Sequence, residues 1–235
     1  MWLSYLILAI VLFAGVTYSI AARKLTVIAA LTGAAVACAV FAGGGFTGLA
    51  TMTVFFILGS AATSWQLKTK QIINAEEKSS RTAGQVLANA GTAGICGVLV
   101  LLLPQHSVLF QLMMAASLAS ATADTLSSEL GMVYGRRFFN IITFKADVKG
   151  LDGVVSIEGT LIGSAGAAVI ALIYFIGHCW SVDLLWIVTA GTLGNIIDSV
   201  LGAVLERKGI IGNNMVNFLN TFAAALFMLL FYLIF

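Results

Sequence analysis

Charge is what this sequence has least of: Asp, Glu, Lys and Arg make up 9% of its 235 residues, against 60% that are hydrophobic. A water-soluble fold cannot cover that much apolar surface, so the solvent around most of the chain is lipid. The twelve basic residues barely outnumber the ten acidic ones, too weak an excess to point to nucleic acid as a partner. Cysteine is also scarce. Cys38, Cys96 and Cys179 lie far apart with no C-x-x-C pair, which excludes a zinc site or disulfide framework and leaves three packing residues. The two histidines, His106 and His178, fall in breaks away from the acids and suit neither a ligand nor a base. No internal repeat is evident, so an inverted-repeat transporter has no support.

What is present is a series of long apolar runs. A membrane span needs roughly 17 to 25 such residues, and about eight segments qualify. They lie near 2–22, 25–42, 46–66, 83–103, 107–127, 154–177, 183–204 and 215–235. The first has small residues that mimic a signal-peptide cleavage site, but Arg23 and Lys24 follow the apolar run instead of preceding it, as in a retained helix. Numbering the breaks alternately puts every lysine and arginine on one side, and every acid except Asp183 at or near that same side. The positive-inside rule then predicts an all-α polytopic transmembrane bundle, N-out and C-out, in a bacterial inner membrane. One membrane domain over 1–235 is expected. Glycine is abundant, at 24 residues, and Gly159, Gly163 and Gly166 or Gly191 and Gly194 have the small-residue spacing of closely packed helices.

An ionisable group at membrane depth costs at least about 2.5–3.5 kcal/mol, so those present pair, bind an ion or line a polar cavity. Asp124 and Glu129 are five residues apart, about 140° on a helix, and share a site only if the helix bends or ends between them. Asp198 and Glu158 sit near other helix ends on the same side. Carboxylates from separate helices meeting at one depth suit magnesium, a hard cation that prefers oxygen ligands and is commonly shared with substrate phosphates. The plainer alternative is an ion pair between each acid and a nearby base. Arg81, Gln85 and Asn89 recur at i, i+4 and i+8, a polar helix stripe that is either an interhelical seam or a phosphate contact. Of the asparagines that open the last span, Asn217 is expected to be the one deep enough to need a partner. Glu206 is expected at a loop edge, paired with Arg207 in solvent.

The segments Q-V-L-A-N-A-G-T-A-G, A-D-T-L-S-S-E-L-G, G-V-V-S-I-E-G-T-L-I-G and G-T-L-G-N-I-I-D-S-V-L-G-A, with the following N-N-M-V-N-F, resemble in order the integral membrane family that contains transmembrane protein 19 and the plastid phytyl-phosphate kinase. The resemblance runs from about Lys78 to Phe218. A more distant likeness joins Asp124, Gly131, Gly135-Arg136-Arg137 and Ser156-Ile157-Glu158-Gly159-Thr160 to dolichol kinases and phosphatidate cytidylyltransferases, which use CTP. It implies Asp124 in the metal and nucleotide site; the intramembrane carboxylates themselves make Asp124, Asp198 and Glu158 the catalytic candidates, with Asp124, Glu129 and Asp198 as metal candidates. It also implies Arg136, Arg137 and Lys145 on phosphate, and Ser156, Gly159 and Thr160 in a nucleotide-binding turn. The loop Thr143 to Asp152 departs from the plastid members, which leaves the acceptor open. The expectation is a magnesium-dependent, CTP-using kinase of an isoprenoid alcohol or monophosphate, with its site on the cytoplasmic side. A cytidylyltransferase making a CDP-lipid and a small transporter are the rivals.

Overall fold

The computed structural model describes residues 2–66, 80–178 and 181–235; Lys68, Lys70, Lys78 and Cys179 lie outside them. The described residues form seven α-helices: α1 (Trp2–Ala21), α2 (Val27–Ser64), α3 (Ala83–Leu102), α4 (Ser107–Tyr134), α5 (Ile157–Ile176), α6 (Asp183–Leu201) and α7 (Asn213–Ile234). Six of them are long and apolar enough to cross a membrane. The exception is α4, which packs against α2, α3, α5, α6 and α7. Its position explains its composition. Fifteen of its 28 residues are buried, Ser117, Ser120, Thr122 and Glu129 among them, so protein rather than lipid faces its polar groups. It also continues to Tyr134, past the end expected near 127.

A straight 38-residue helix like α2 would be about 57 Å long, nearly twice the hydrocarbon core. It is not straight. Gly45 takes φ 58° and ψ −149°, a conformation that a side chain disfavours. A Cβ placed on Gly48 would lie 3.0 Å from the carbonyl of Val40, whereas eight residues of straight helix would separate these positions by about 12 Å. The expected break at 43–45 is therefore a tight hairpin between two arms of α2. The first arm presses on α3 so closely that a Cβ on Gly97 would stand 2.2 Å from the Ala39 carbonyl. The glycines of α5 and α6 also pack as expected, with a Cβ on Gly163 falling 2.7 Å from the Ala123 carbonyl and one on Gly194 2.2 Å from Ser120 Oγ.

The two ends of the bundle differ. Gln111 Nε2 donates to the Gly43 carbonyl at 2.8 Å, and Gly177 abuts Thr47, so the α2 hairpin, the start of α4 and the end of α5 share one end. The segments around Arg23, Arg81, Asp152 and Glu206 meet at the other. There, strand β1 (Phe139–Asn140) pairs antiparallel with β2 (Val154–Val155), and the loop between them docks through Gly153 onto Ala203. All basic residues among the described ones belong to this end, which is the one-sidedness expected of the charges.

Candidate functional site

A polar cavity of about 520 Å³ opens at the charged end. Its deepest acidic corner is built by three helices. The Asp124 carboxyl on α4 lies against that of Asp198 on α6. Asn220 on α7 donates to Asp198 Oδ1 at 2.6 Å and receives Ser120 Oγ on its own Oδ1 at 3.1 Å. Asn220 is fully buried, so this amide is pinned on both sides. No lysine or arginine among the described residues forms an ion pair with Asp124 or Asp198. Among the described residues, then, neither acid has the close basic partner of the plain ion-pair alternative, although Arg81 lies within the field of Asp124.

Glu129 faces a different wall. Thr63 on the second arm of α2 donates to its Oε1 at 3.0 Å, and Arg81 Nη2 donates to Thr63 Oγ1 at 3.1 Å and to the Gly59 carbonyl at 3.4 Å. The helix does not bend between Asp124 and Glu129; the cavity instead reaches round α4, with Asp124 toward α6 and Glu129 toward α2. Arg81 is likewise not part of a helical stripe. It is extended and bridges Leu25, because α3 starts only after Thr82, whose capping box uses the Gln85 side chain at 2.8 Å. Even so, Arg81, Gln85 and Asn89 all line the cavity. Asn89 Oδ1 and Asn217 Oδ1 are buried without a hydrogen-bond partner among the described residues. Such an atom costs about 1–3 kcal/mol unless something bonds to it.

The third wall is the start of α5. Ser156 caps it by accepting from Gly159 N at 3.1 Å, and Ser156, Gly159 and Thr160 line the cavity. Helix α5 comes this close because a Cβ on Gly159 would stand only 3.0 Å from the Ser127 carbonyl. Four expected site residues are not in the lining: Glu158, Arg136, Arg137 and Lys145. Glu158 turns back to accept from Arg136 N at 3.4 Å, and Arg136, Arg137 and Lys145 project from the exposed loop. Within that loop Arg207 donates to Asp147 at 2.6 Å. That bond, aided by the Val148 N–H, holds the Asp147 carboxyl below the ordinary carboxylate range, at about 2.

A family model for the integral membrane protein DUF92 matches residues 9–225. The chain belongs to this DUF92 family. It is 35% identical over 189 residues to an uncharacterized membrane protein of Methanocaldococcus jannaschii, covering 80% of this chain and 77% of that one. An uncharacterized membrane protein of Synechocystis is 33% identical, over 77% of this chain and 72% of the relative. Protein VTE6, chloroplastic, of Arabidopsis thaliana is 29% identical over 75% of this chain and 56% of its own length. No solved structure matches.

In this DUF92 protein the acidic corner offers hard oxygen donors that suit magnesium, which needs few protein carboxylates because it keeps waters and substrate phosphates as ligands. Asp124 and Asp198 are the pair that could hold such an ion. Glu129, bonded to Thr63, is on the other wall, and among the described residues no three His, Cys, Asp or Glu side chains form a closed cage.

Sequence reasoning missed several residues that build the site. Asn220 was expected to be shallower than Asn217, yet Asn213, Asn217 and Asn220 follow helical spacing, and that period is the signal that would have found it. Glu206 was expected in solvent beside Arg207. It sits instead in a π-helical turn, Gly202–Glu206, that carries it into the cavity lining, while Arg207 bonds Asp147. Such turns are frequent at functional sites. Asn195, which accepts from Ser127 Oγ at 3.0 Å, completes the floor.

Proposed function

We propose that this chain is a magnesium-dependent kinase that uses CTP to phosphorylate an isoprenoid alcohol or isoprenoid monophosphate at the cytoplasmic face of the membrane. The observation that carries the reading is the Asp124–Asp198 contact. Two carboxyl groups in contact, with no close basic partner among the described residues, need a shared proton or a cation between them. Magnesium bound there would supply charge neutralisation on the donor phosphates. The chain's own groups do the rest. Arg81, anchored by Thr63 and Gly59, keeps further guanidinium N–H donors for phosphate oxygens. The capped start of α5 adds the partial positive charge of a helix N-terminus. Phosphoryl transfer asks for little more than this positioning and charge stabilisation: the acceptor oxygen bonds the γ-phosphorus as its bond to the CDP oxygen breaks.

A conduit finds less support. A transport path would need polar groups through the full depth, yet beyond Asn220 the bundle centre is filled by fully buried Leu112, Met114, Ile187 and Met228. The test is transfer of label to lipid by purified protein with magnesium, prenyl alcohols or monophosphates, and CTP labelled at the γ or the α phosphate. Label from the γ position in lipid is the expected result. Transfer from the α position alone would replace the kinase by a cytidylyltransferase, and transfer from neither would overturn both.

A further inference from the structure

Beside the polar cavity lies a second, apolar space between α1, both arms of α2, and α3. The two spaces share Arg81, Gln85 and Asn89, and nothing else. From Ser19 down to Val11 on α1 the apolar slot runs eight residues, about 12 Å into a hydrocarbon core of about 30 Å. Its walls are bare at two glycines: a Cβ on Gly15 would meet nothing within 4 Å, and one on Gly33 only Val86 at 3.9 Å. At the junction the Asn89 Oδ1 atom is buried without a partner among the described residues, and Arg81 offers positive charge.

We propose that this slot takes the head-proximal part of the single prenyl tail of a phosphorylated or hydroxylated lipid, whose head group lies among Arg81, Gln85 and Asn89 and so reaches the polar cavity. The proposal deepens the kinase reading and rests on it for the identity of the tail. Three observations select this occupant. Apart from Thr53, whose hydroxyl is spent on the Leu49 carbonyl, the slot is apolar along its length and polar at the end that opens into the cavity, which matches an amphiphile with one small head. Its cationic residue suits a phosphate. It is bounded outside by α1, of which Ser19 is the one buried residue, so a lipid has a loosely packed helix to pass rather than a sealed wall. Because the slot covers less than half of the core depth, it reads the tail near the head and leaves the remainder in the bilayer. Chain length beyond that point should matter little.

The experiment uses the full chain in nanodiscs with a prenyl monophosphate carrying a diazirine near its head, cross-links being mapped by mass spectrometry. Gly15→Phe fills the slot, and Ile10→Phe, on a lipid-exposed face of the same helix, places the same aromatic ring elsewhere. Cross-links are expected on slot residues of α1, α2 and α3. In Gly15→Phe they should be lost, and KM for a long-tailed acceptor should rise at least about tenfold, with Ile10→Phe unchanged. Cross-links confined to other helices, or unaltered by Gly15→Phe, overturn the slot whether or not phosphate is transferred. Slot cross-links without transfer from any nucleotide leave the slot standing and remove the kinase. Displacement by excess phosphatidate but not by unlabelled prenyl phosphate assigns the slot to an ordinary phospholipid and overturns the proposal.

Discussion

Replacing Asp124 by Asn separates a cation site from an ion pair, because the two arrangements respond to loss of the charge with opposite changes in stability. Among the described residues no lysine or arginine forms an ion pair with Asp124 or Asp198, and Arg81 acts on Asp124 only through its longer-range field. Two full charges about 4 Å apart at an effective dielectric constant of about 20 would repel by roughly 4 kcal/mol, which the cation-free pair avoids only by holding a shared proton. An amide in place of one of them removes that repulsion. The ligand-free melting temperature of Asp124→Asn should therefore equal or exceed that of the parent. Had Asp124 been the partner of a buried arginine, breaking the pair would cost about 3–5 kcal/mol, a drop of roughly 6–20 °C for a chain of this size. Turnover moves the other way, falling about 100- to 1,000-fold as the charge opposite the donor phosphates is lost. The parent with CTP and magnesium at about 100 times the dissociation constant should gain about 2.7 kcal/mol, and the variant should lose that gain. The assay is label transfer alongside thermal unfolding in detergent, with and without nucleotide. Glu206 lines the cavity and cannot serve as reference; Asp147→Asn, a loop acid away from the cavity, serves instead. Full turnover in Asp124→Asn would remove this residue from the site, and a large ligand-free melting loss would make it structural.

Gly97→Ala should be the most destabilising of any single methyl-adding change at the α2–α3 contact, since its Cβ would collide with the Ala39 carbonyl; we expect at least about 1–3 kcal/mol by detergent unfolding. Asp147 has a folded value of about 2, depressed from about 3.9 in an unfolded chain. Its contribution is thus fully present above about pH 4 and lost as pH falls toward 2, so the melting difference between parent and Asp147→Asn should be flat near neutrality and vanish in acid. Cysteines introduced at Gly44 and Lys149 lie at opposite ends of the bundle, and we expect a membrane-impermeant thiol reagent outside the cell to reach the first and not the second. Labelling at Lys149 from outside would refute the orientation.

The parts of this fold that were legible in the sequence are those set by a single physical rule. Gly43-Gly44-Gly45 marked the α2 hairpin because only a glycine suits the backbone at Gly45. The clustering of charge marked one end because a charge inside lipid is costly. Asp124, Asp198, Ser156 and Asn217, drawn from separate motifs, do line one cavity. The illegible parts depend on neighbours that no local pattern reveals. Hydropathy could not show that α4 is surrounded by protein, nor that the Thr82 cap starts α3 just after Arg81 and leaves that side chain free to reach Thr63. Nor could spacing show that α6 finishes in a π turn, which alone decides that Glu206 points into the cavity and Arg207 away from it.

The acidic corner draws on helices that leave the ribosome at different times, and this orders its biogenesis. Asp198 and the amide that pins it are 22 residues apart, so at about 5–20 residues per second Asn220 is synthesised roughly 1–4 s later. Until the final helix packs, Asp198 lacks the amide that anchors it. The pinned amide thus makes insertion of the final helix the event that matures the site, and a nascent chain stalled before α7 would carry its charged groups while lacking the arrangement that uses them.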